Sequence, residues 1–239
     1  MGKDGPMNIV MLLYPRLTQL DLTGPFEVFT RLPDVKIILA AKSLDPVTDS
    51  GGLRLLPTHT LAEAPQADIL FVPGGPGQLH LMDDAVTLDF LRAQAVAARY
   101  VTSVCTGSLV LAAAGLLTGY RATCHWMSLD QLALFGCTPS SERVVVDGNR
   151  VTGGGVTSGI DFALQLAALL FDQDRAERTQ LSMEYNPAPP FSSGHPNSAD
   201  PAMVEAMRAR ASGLQQKRWE AARTAAARLG LAVSSDKNS

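Results

Sequence analysis

Tyr100-Val101-Thr102-Ser103-Val104-Cys105-Thr106-Gly107-Ser108 reads as a buried apolar strand that stops at a cysteine and turns at once into a helix, expected over residues 106–114. Ser103 and Gly107 flank the cysteine two positions away on either side. A tight strand-to-helix turn that presents its central side chain needs such small neighbours, and the spacing is that of a nucleophile elbow with Cys in place of Ser. A thiol at a helix N-terminus lies beside unpaired backbone N–H groups at the positive end of the dipole, which favours its thiolate. Cys105 is therefore the candidate nucleophile. A small buried hydrophobe closing a core strand is the alternative reading of the same residue.

Outward from this stretch, apolar runs alternate with amphipathic segments. Residues 8–14 (NIVMLLY), 35–41 (VKIILAA) and 68–72 (DILFV) read as strands covered on both faces. Asp21 follows the first strand within Gln19-Leu20-Asp21-Leu22-Thr23-Gly24-Pro25. Pro25 suits a first helical turn with Gly24 or Thr23 as cap, which places Asp21 on the preceding loop. That loop lies where open α/β sheets bind ligands; capping the helix is the plainer role for the same side chain. After the third strand, Pro73-Gly74-Gly75-Pro76-Gly77 matches neither a phosphate loop nor a dinucleotide fingerprint. It reads as an oxyanion-binding turn through Gly74 and Gly75, or as a purely structural one.

A helix over residues 84–99 leads into the cysteine strand. Beyond it, residues 121–126 (RATCHW) read as a short strand carrying His125 and Trp126, and residues 128–135 as a helix closed by Gly136. Asp147-Gly148-Asn149 marks a hairpin turn. Gly153 to Gly155 then opens a long helix, with Ser158 and Asp161 spaced as a capping box. Gly154, Val156 and Thr157, with His125 and Trp126, are candidate pocket residues, although a tight connection explains the glycines equally well. Residues 172–185 read as an amphipathic helix, residues 186–197 as a Pro-rich surface excursion, and residues 201–229 as an Ala- and Arg-rich helix for packing or oligomer contacts. Every glycine-rich or chemically loaded turn follows a strand. The expected fold is α/β: one doubly wound, mostly parallel sheet of flavodoxin- or Rossmann-like type with a C-terminal helical extension. Residues 1–7 are expected to form a flexible leader, 8–186 the α/β domain, and 187–239 the excursion and C-terminal helices.

A chain of 239 residues buries about 70–75% of its unfolded surface, enough for a core without disulfide or metal. Hydrophobic residues make up 46% and charged residues 18%, with a net charge of −3. An acidic chain without a basic run gives no electrostatic reason to bind nucleic acid. Three cysteines at spacings of 19 and 13, Cys105, Cys124 and Cys137, match neither a disulfide framework nor a zinc pattern. No metal is expected, and reduced thiols suggest the cytoplasm. The N-terminus lacks the build of a signal peptide, and no apolar run reaches a membrane span.

The strand-Cys-Thr-Gly-Ser-helix pattern after a Pro-Gly-Gly turn resembles the ThiJ/PfpI superfamily over residues 8–171. Five stretches together narrow it further: residues 19–25, Tyr100 to Gly107, Thr123 to Trp126, Gly153 to Asp161, and Glu184-Tyr185-Asn186-Pro187-Ala188-Pro189-Pro190-Phe191. They resemble isocyanide hydratases, cofactor-free homodimers that convert an isocyanide and water into an N-substituted formamide. Thr106 stands where the superfamily's intracellular-protease branch has a histidine, and Asp21 where its deglycase branch has a glutamate, so peptidase activity is not expected. The resemblance implies that Cys105 adds to the isocyanide carbon to give a covalent thioimidate. Asp21 is then general acid and afterwards base for the hydrolytic water. Backbone N–H groups of Thr106 and Gly75 steady developing charge, and the Thr106 hydroxyl orients Asp21 or water. A reactive thiolate facing a protonated carboxyl is expected. Two other readings share the cysteine: a non-enzymatic sensor like the ligand-binding halves of AraC-type regulators, and a glyoxalase- or deglycase-like enzyme.

Overall fold

The computed structural model describes residues 5–231; residues 1–4 of the expected leader and 232–239 of the C-terminal extension lie outside the described residues. The chain opens with β1 (Met7–Leu12), whose Ile9, Val10 and Met11 are wholly buried, followed by α1 (Gln19–Phe29) and β2 (Val35–Ala41). Three two-residue strands follow, β3 (Val47–Thr48), β4 (Arg54–Leu55) and β5 (His59–Thr60), then β6 (Ile69–Val72), the short α2 (Gln78–Leu81) and α3 (Ala85–Ala95). Next come β7 (Tyr100–Val104), α4 (Gly107–Ala113), β8 (Arg121–Ala122), a 3-10 helix over Leu129–Phe135, β9 (Thr138–Pro139), and the hairpin of β10 (Val144–Asp147) and β11 (Arg150–Gly153). α5 (Ser158–Leu170), α6 (Gln173–Ser182) and α7 (Pro201–Arg228) complete the order.

Seven strands form one sheet in the order β10-β11-β7-β6-β1-β2-β5, parallel except for the antiparallel edge strand β10. The apolar runs occupy its middle, because only strands covered on both faces bury continuous apolar sequence. α1, α5 and α6 pack together on one side. α2, α3, α4, the 3-10 helix and the C-terminal half of α7 pack on the other. Phe29, Phe71 and Phe162 join α1, β6 and α5 through ring contacts with centroids 5.6–6.5 Å apart. The arrangement is the expected doubly wound α/β sheet with a C-terminal helical extension.

Four local expectations change. β1 begins at Met7, which pairs with Val35, one residue before the strand's expected start at Asn8. α1 starts at Gln19, which puts Asp21 in the first helical turn and Pro25 inside the helix. Thr18 ends the loop by donating its N–H to the Gly74 carbonyl at 2.9 Å, and this tie starts the helix early. β8 ends at Ala122 because the Thr123 N–H turns to the Thr152 hydroxyl at 2.9 Å, so His125 and Trp126 lie in a loop. The Ser158–Asp161 capping box does not form: Thr157 is the N-cap, and the Asp161 carboxylate takes Arg143 at 2.7 Å and the Tyr185 hydroxyl at 3.1 Å instead.

Candidate active site

Cys105 joins β7 to α4 with φ of 53°, in the left-handed region that costs a side-chain-bearing residue about 1–2 kcal/mol. Its N–H holds the turn in place, lying 2.7 Å from the Gly154 carbonyl and 3.0 Å from that of Gly153. Both acceptors belong to the glycine run that ends β11 and leads towards α5. Beneath the elbow, Ser103 and Ser108 share a hydrogen bond of 2.9 Å, and Ser108 also donates to the Thr123 carbonyl at 2.7 Å. The small residues around the cysteine are needed sterically. A Cβ on Gly107 would stand 2.2 Å from the Val72 carbonyl oxygen.

Asp21 reaches the elbow from the other side of the sheet's carboxyl edge and is completely buried. Its Oδ2 accepts the Gly74 N–H at 3.0 Å, while its Oδ1 has no N–H or O–H donor. The point a Cβ on Gly74 would occupy is 2.7 Å from Asp21 Oδ2, 2.8 Å from Cys105 Cβ and 2.6 Å from Thr106 N. Glycine at 74 is thus what lets carboxyl, thiol carbon and helix N-terminus converge. Gly75, at φ of 133°, donates its N–H to Thr106 Oγ1 at 3.0 Å, and a side chain there would run into the Thr18 backbone. Both N–H groups of the expected oxyanion turn are therefore spent on side chains of the site, Gly74 on Asp21 and Gly75 on Thr106. The Thr106 N–H remains beside the sulfur.

Burial dominates the electrostatics. It raises the Asp21 carboxyl to about 7, against the opposing pull of hydrogen bonds from the Cys105 thiol and the Gly74 N–H. It also pushes the Cys105 thiol well above its ordinary value, with the neighbouring Asp21 and Cys124 adding to the rise and only the Thr106 N–H opposing it appreciably. Desolvation thus opposes the thiolate that the helix N-terminus favours, and it opposes the ionised carboxyl beside it as well.

His125, Trp126, Gly154, Val156 and Thr157, the candidate pocket residues, line one cavity of about 440 Å³ together with Cys124 and Ser158. Gly194 and His195 of the Pro-rich excursion lie at its rim. The His125 and Trp126 rings stack at 5.9 Å. Burial, with Arg218 adding to it, lowers His125 to about 4, so its imidazole is neutral. The Ser158 hydroxyl is buried there without a hydrogen-bond partner. Cys105 and Asp21 are not among the residues lining this cavity; the glycine run, through Gly154, connects the two.

Three participants escaped the sequence reading. Tyr14, two residues beyond β1, donates its hydroxyl to the Pro73 carbonyl at 2.8 Å and pins the turn that carries Gly74. Gln78 and Arg218 form a buried polar pair, with the guanidinium Nε donating to Gln78 Oε1 at 2.8 Å. A signal existed for Arg218: Ala222, Ala225 and Ala226 follow at helical spacing and are all buried, which puts Arg218 on the packed stripe of α7.

Residues 7–169 match the family model described as the DJ-1/PfpI family. The chain is 54% identical over 225 residues to an isonitrile hydratase of Pseudomonas putida, covering 94% of this chain and 99% of that one. Among solved structures it is similar to a ThiJ/PfpI family protein from Pseudomonas syringae, at a TM-score of 0.89 and 46% identity over 93% and 96% of the two chains. It is also 40% identical to the HTH-type transcriptional regulator GbdR of Pseudomonas aeruginosa, over 67% of this chain and 46% of the regulator.

Proposed function

The chain belongs to the DJ-1/PfpI family, and we propose that within it this protein is an isonitrile hydratase, converting an isonitrile (isocyanide) and water into an N-substituted formamide. The observation that carries this reading is the 54% identity to a hydratase along 94% of this chain and 99% of the relative. The regulator, by contrast, is matched over only 46% of its length, which makes a ligand-sensing role the weaker reading.

The geometry supports the following sequence of steps. The isocyanide carbon accepts the Cys105 sulfur lone pair while Asp21 takes the thiol proton and passes it to the same carbon, giving the S-bound thioimidate R–N=CH–S. Water then adds to that carbon, its oxygen forming the new C–O bond and its proton going to nitrogen through Asp21. The C–S bond breaks as the hydroxyl becomes the formamide carbonyl, and Asp21 returns the hydroxyl proton to sulfur. The steps sum to R–NC plus water giving R–NH–CHO, with no change in oxidation state overall. The Thr106 N–H offsets negative charge on sulfur as that bond forms and breaks. The Thr106 side chain holds the Gly75 backbone against the elbow.

The cavity beside the glycine run takes the isocyanide's organic group, next to the stacked His125 and Trp126. The protein acts as a homodimer in the cytoplasm. Exposed Met203, Met207 and Leu214 on α7, with Leu181 and Phe191 nearby in sequence, support the first statement, and three free cysteines the second. A monomeric mass by light scattering contradicts the dimer. The function is tested by mixing the protein with an aryl isocyanide and following formamide absorbance. Turnover by the wild type and none by Cys105→Ala is expected; full activity in the alanine variant refutes the scheme.

A further inference from the structure

Trp126 is half-buried on the wall of the cavity beside the glycine run, where two ring contacts hold it. Its ring stacks on His125 with centroids 5.9 Å apart and an interplanar angle of 29°. The Arg208 guanidinium carbon lies 5.3 Å from the Trp126 ring centroid, within the range in which an indole face attracts a cation. His125 in turn lies against the glycine run: its Cδ2 is 3.4 Å from the point a Cβ on Gly155 would occupy. Gly154, the residue before, accepts the Cys105 N–H at 2.7 Å. An unbroken line of contacts thus runs from α7 through the aromatic wall to the elbow.

The helix directs Arg208 to this contact. Val204, Ala211, Gln215 and Arg218 recur at helical spacing as covered positions of α7, and Arg208 falls on the same stripe, four residues after Val204 and three before Ala211. There its side chain borders a hollow of about 190 Å³ shared with Met127, Gln131 and Trp219. Among the described residues no carboxylate forms an ion pair with it, so the indole is its charge's partner on the protein. A planar guanidinium on a long apolar stem suits that task, since it lies flat on a ring that the stem also covers. The Pro-rich excursion that brings Gly194 and His195 to the cavity rim enters α7 through the Asp200 cap, whose Oδ1 accepts the Ala202 N–H at 2.8 Å. Arg208, two turns further on, therefore ties this covering segment to the wall as well.

We propose that Arg208 is a positioning residue that sets substrate specificity: it clamps Trp126, and with it the wall against which a bulky isocyanide substituent rests. The inference rests on the proposed hydration and on this cavity taking the isocyanide's organic group. Arg208 touches no reacting atom. A substituent long enough to reach the wall gains contact with a fixed indole, whereas one that ends short of it gains nothing. The clamp therefore acts on binding, and on bulky isocyanides more than on small ones.

The test compares phenyl isocyanide with methyl isocyanide as substrates of the wild type and of Arg208→Ala. Arg208 is exposed and alanine is a strong helix former, so the variant keeps its fold, which circular dichroism checks. In Arg208→Ala the KM for phenyl isocyanide rises about two- to fivefold, the worth of one cation–π contact at an exposed site. The KM for methyl isocyanide and both kcat values stay within about 1.5-fold of the wild type. An unchanged ratio of the two KM values overturns the proposal, and so does an equal rise for both substrates, which marks a general loosening. The second readout is Trp126 fluorescence in a Trp219→Phe background, where it is the one tryptophan left of the chain's two. N-phenylformamide, the product, changes that fluorescence on binding, and its Kd rises by the same factor when Arg208→Ala is added. Fluorescence that N-phenylformamide leaves unmoved overturns the proposal, whether or not phenyl isocyanide is turned over. Binding that depends on Arg208 without any wild-type hydration leaves the clamp standing and removes the hydratase.

Discussion

Replacing Asp21 with Asn is expected to stabilise the protein at pH 8 while removing its activity. The wild-type carboxyl is raised from 3.8 in the unfolded chain to about 7 by complete burial. From pH 3.8 upward the unfolded chain releases this proton, whereas the folded protein keeps it until about 7, so wild-type stability falls through that window and is flat above it. Three pH units at 1.36 kcal/mol each make the cost about 4 kcal/mol once the carboxyl is ionised in both states. Asn carries no such cost. Its side-chain oxygen still accepts the Gly74 N–H, but its amide N–H groups face the thiol and lose about 1–2 kcal/mol. The net gain at pH 8 is then about 2–3 kcal/mol, or roughly 4–12 °C in Tm for a chain of this length. Below pH 4 the carboxyl is protonated in folded and unfolded chains alike, and the variant is the less stable protein. Thermal melts of both proteins from pH 4 to 8, read by circular dichroism, therefore cross. A Tm difference that stays constant over this range refutes the assignment of a buried, proton-holding carboxyl.

The wild-type kcat/KM rises with pH up to about 7 and levels off above it, because the reactive form holds one proton on the pair and the form below about 7 holds two; a flat profile from pH 5 to 8 contradicts this. Gly74→Ala pushes a methyl group to within 2.8 Å of Thr106 N, Asp21 Oδ2 and Cys105 Cβ, two of them backbone or first side-chain atoms that do not yield. It is expected to lower stability by about 1–3 kcal/mol and kcat/KM by about 100-fold, checked by melts and isocyanide turnover; activity within threefold of the wild type contradicts the convergence.

Local pattern reached a long way into this protein because its central elements are locally determined. Continuous apolar runs separated by glycine-rich turns admit few arrangements other than a covered parallel sheet, and the small residues around Cys105 are dictated by the sharp turn itself. Gly154, Val156 and Thr157 follow β11 at the carboxyl edge of the seven-stranded sheet, where the turn pattern puts them. His125 and Trp126, by contrast, reach the same cavity from the loop after β8, a strand of a separate two-stranded sheet. Errors fell where distant backbone decides a local boundary. Thr18 starts α1 early because it bonds to Gly74, and Asp161 leaves its capping position because Arg143 and Tyr185 claim it.

The protonation of the site shows the same division. A cysteine at a helix N-terminus, taken alone, implies a lowered thiol pKa. Desolvation depends on how many atoms the rest of the chain packs around the sulfur, and here it reverses the sign. The residue types at the elbow, and the order of strands and turns that bring Asp21 and Gly74 to it, were determined by the sequence alone. The desolvation of thiol and carboxyl, the spending of the glycine-turn N–H groups on Asp21 and Thr106, and the arrival of Arg208 at the Trp126 ring were decided only by the tertiary structure. Charge and burial act through space, over distances that spacing along the chain does not record.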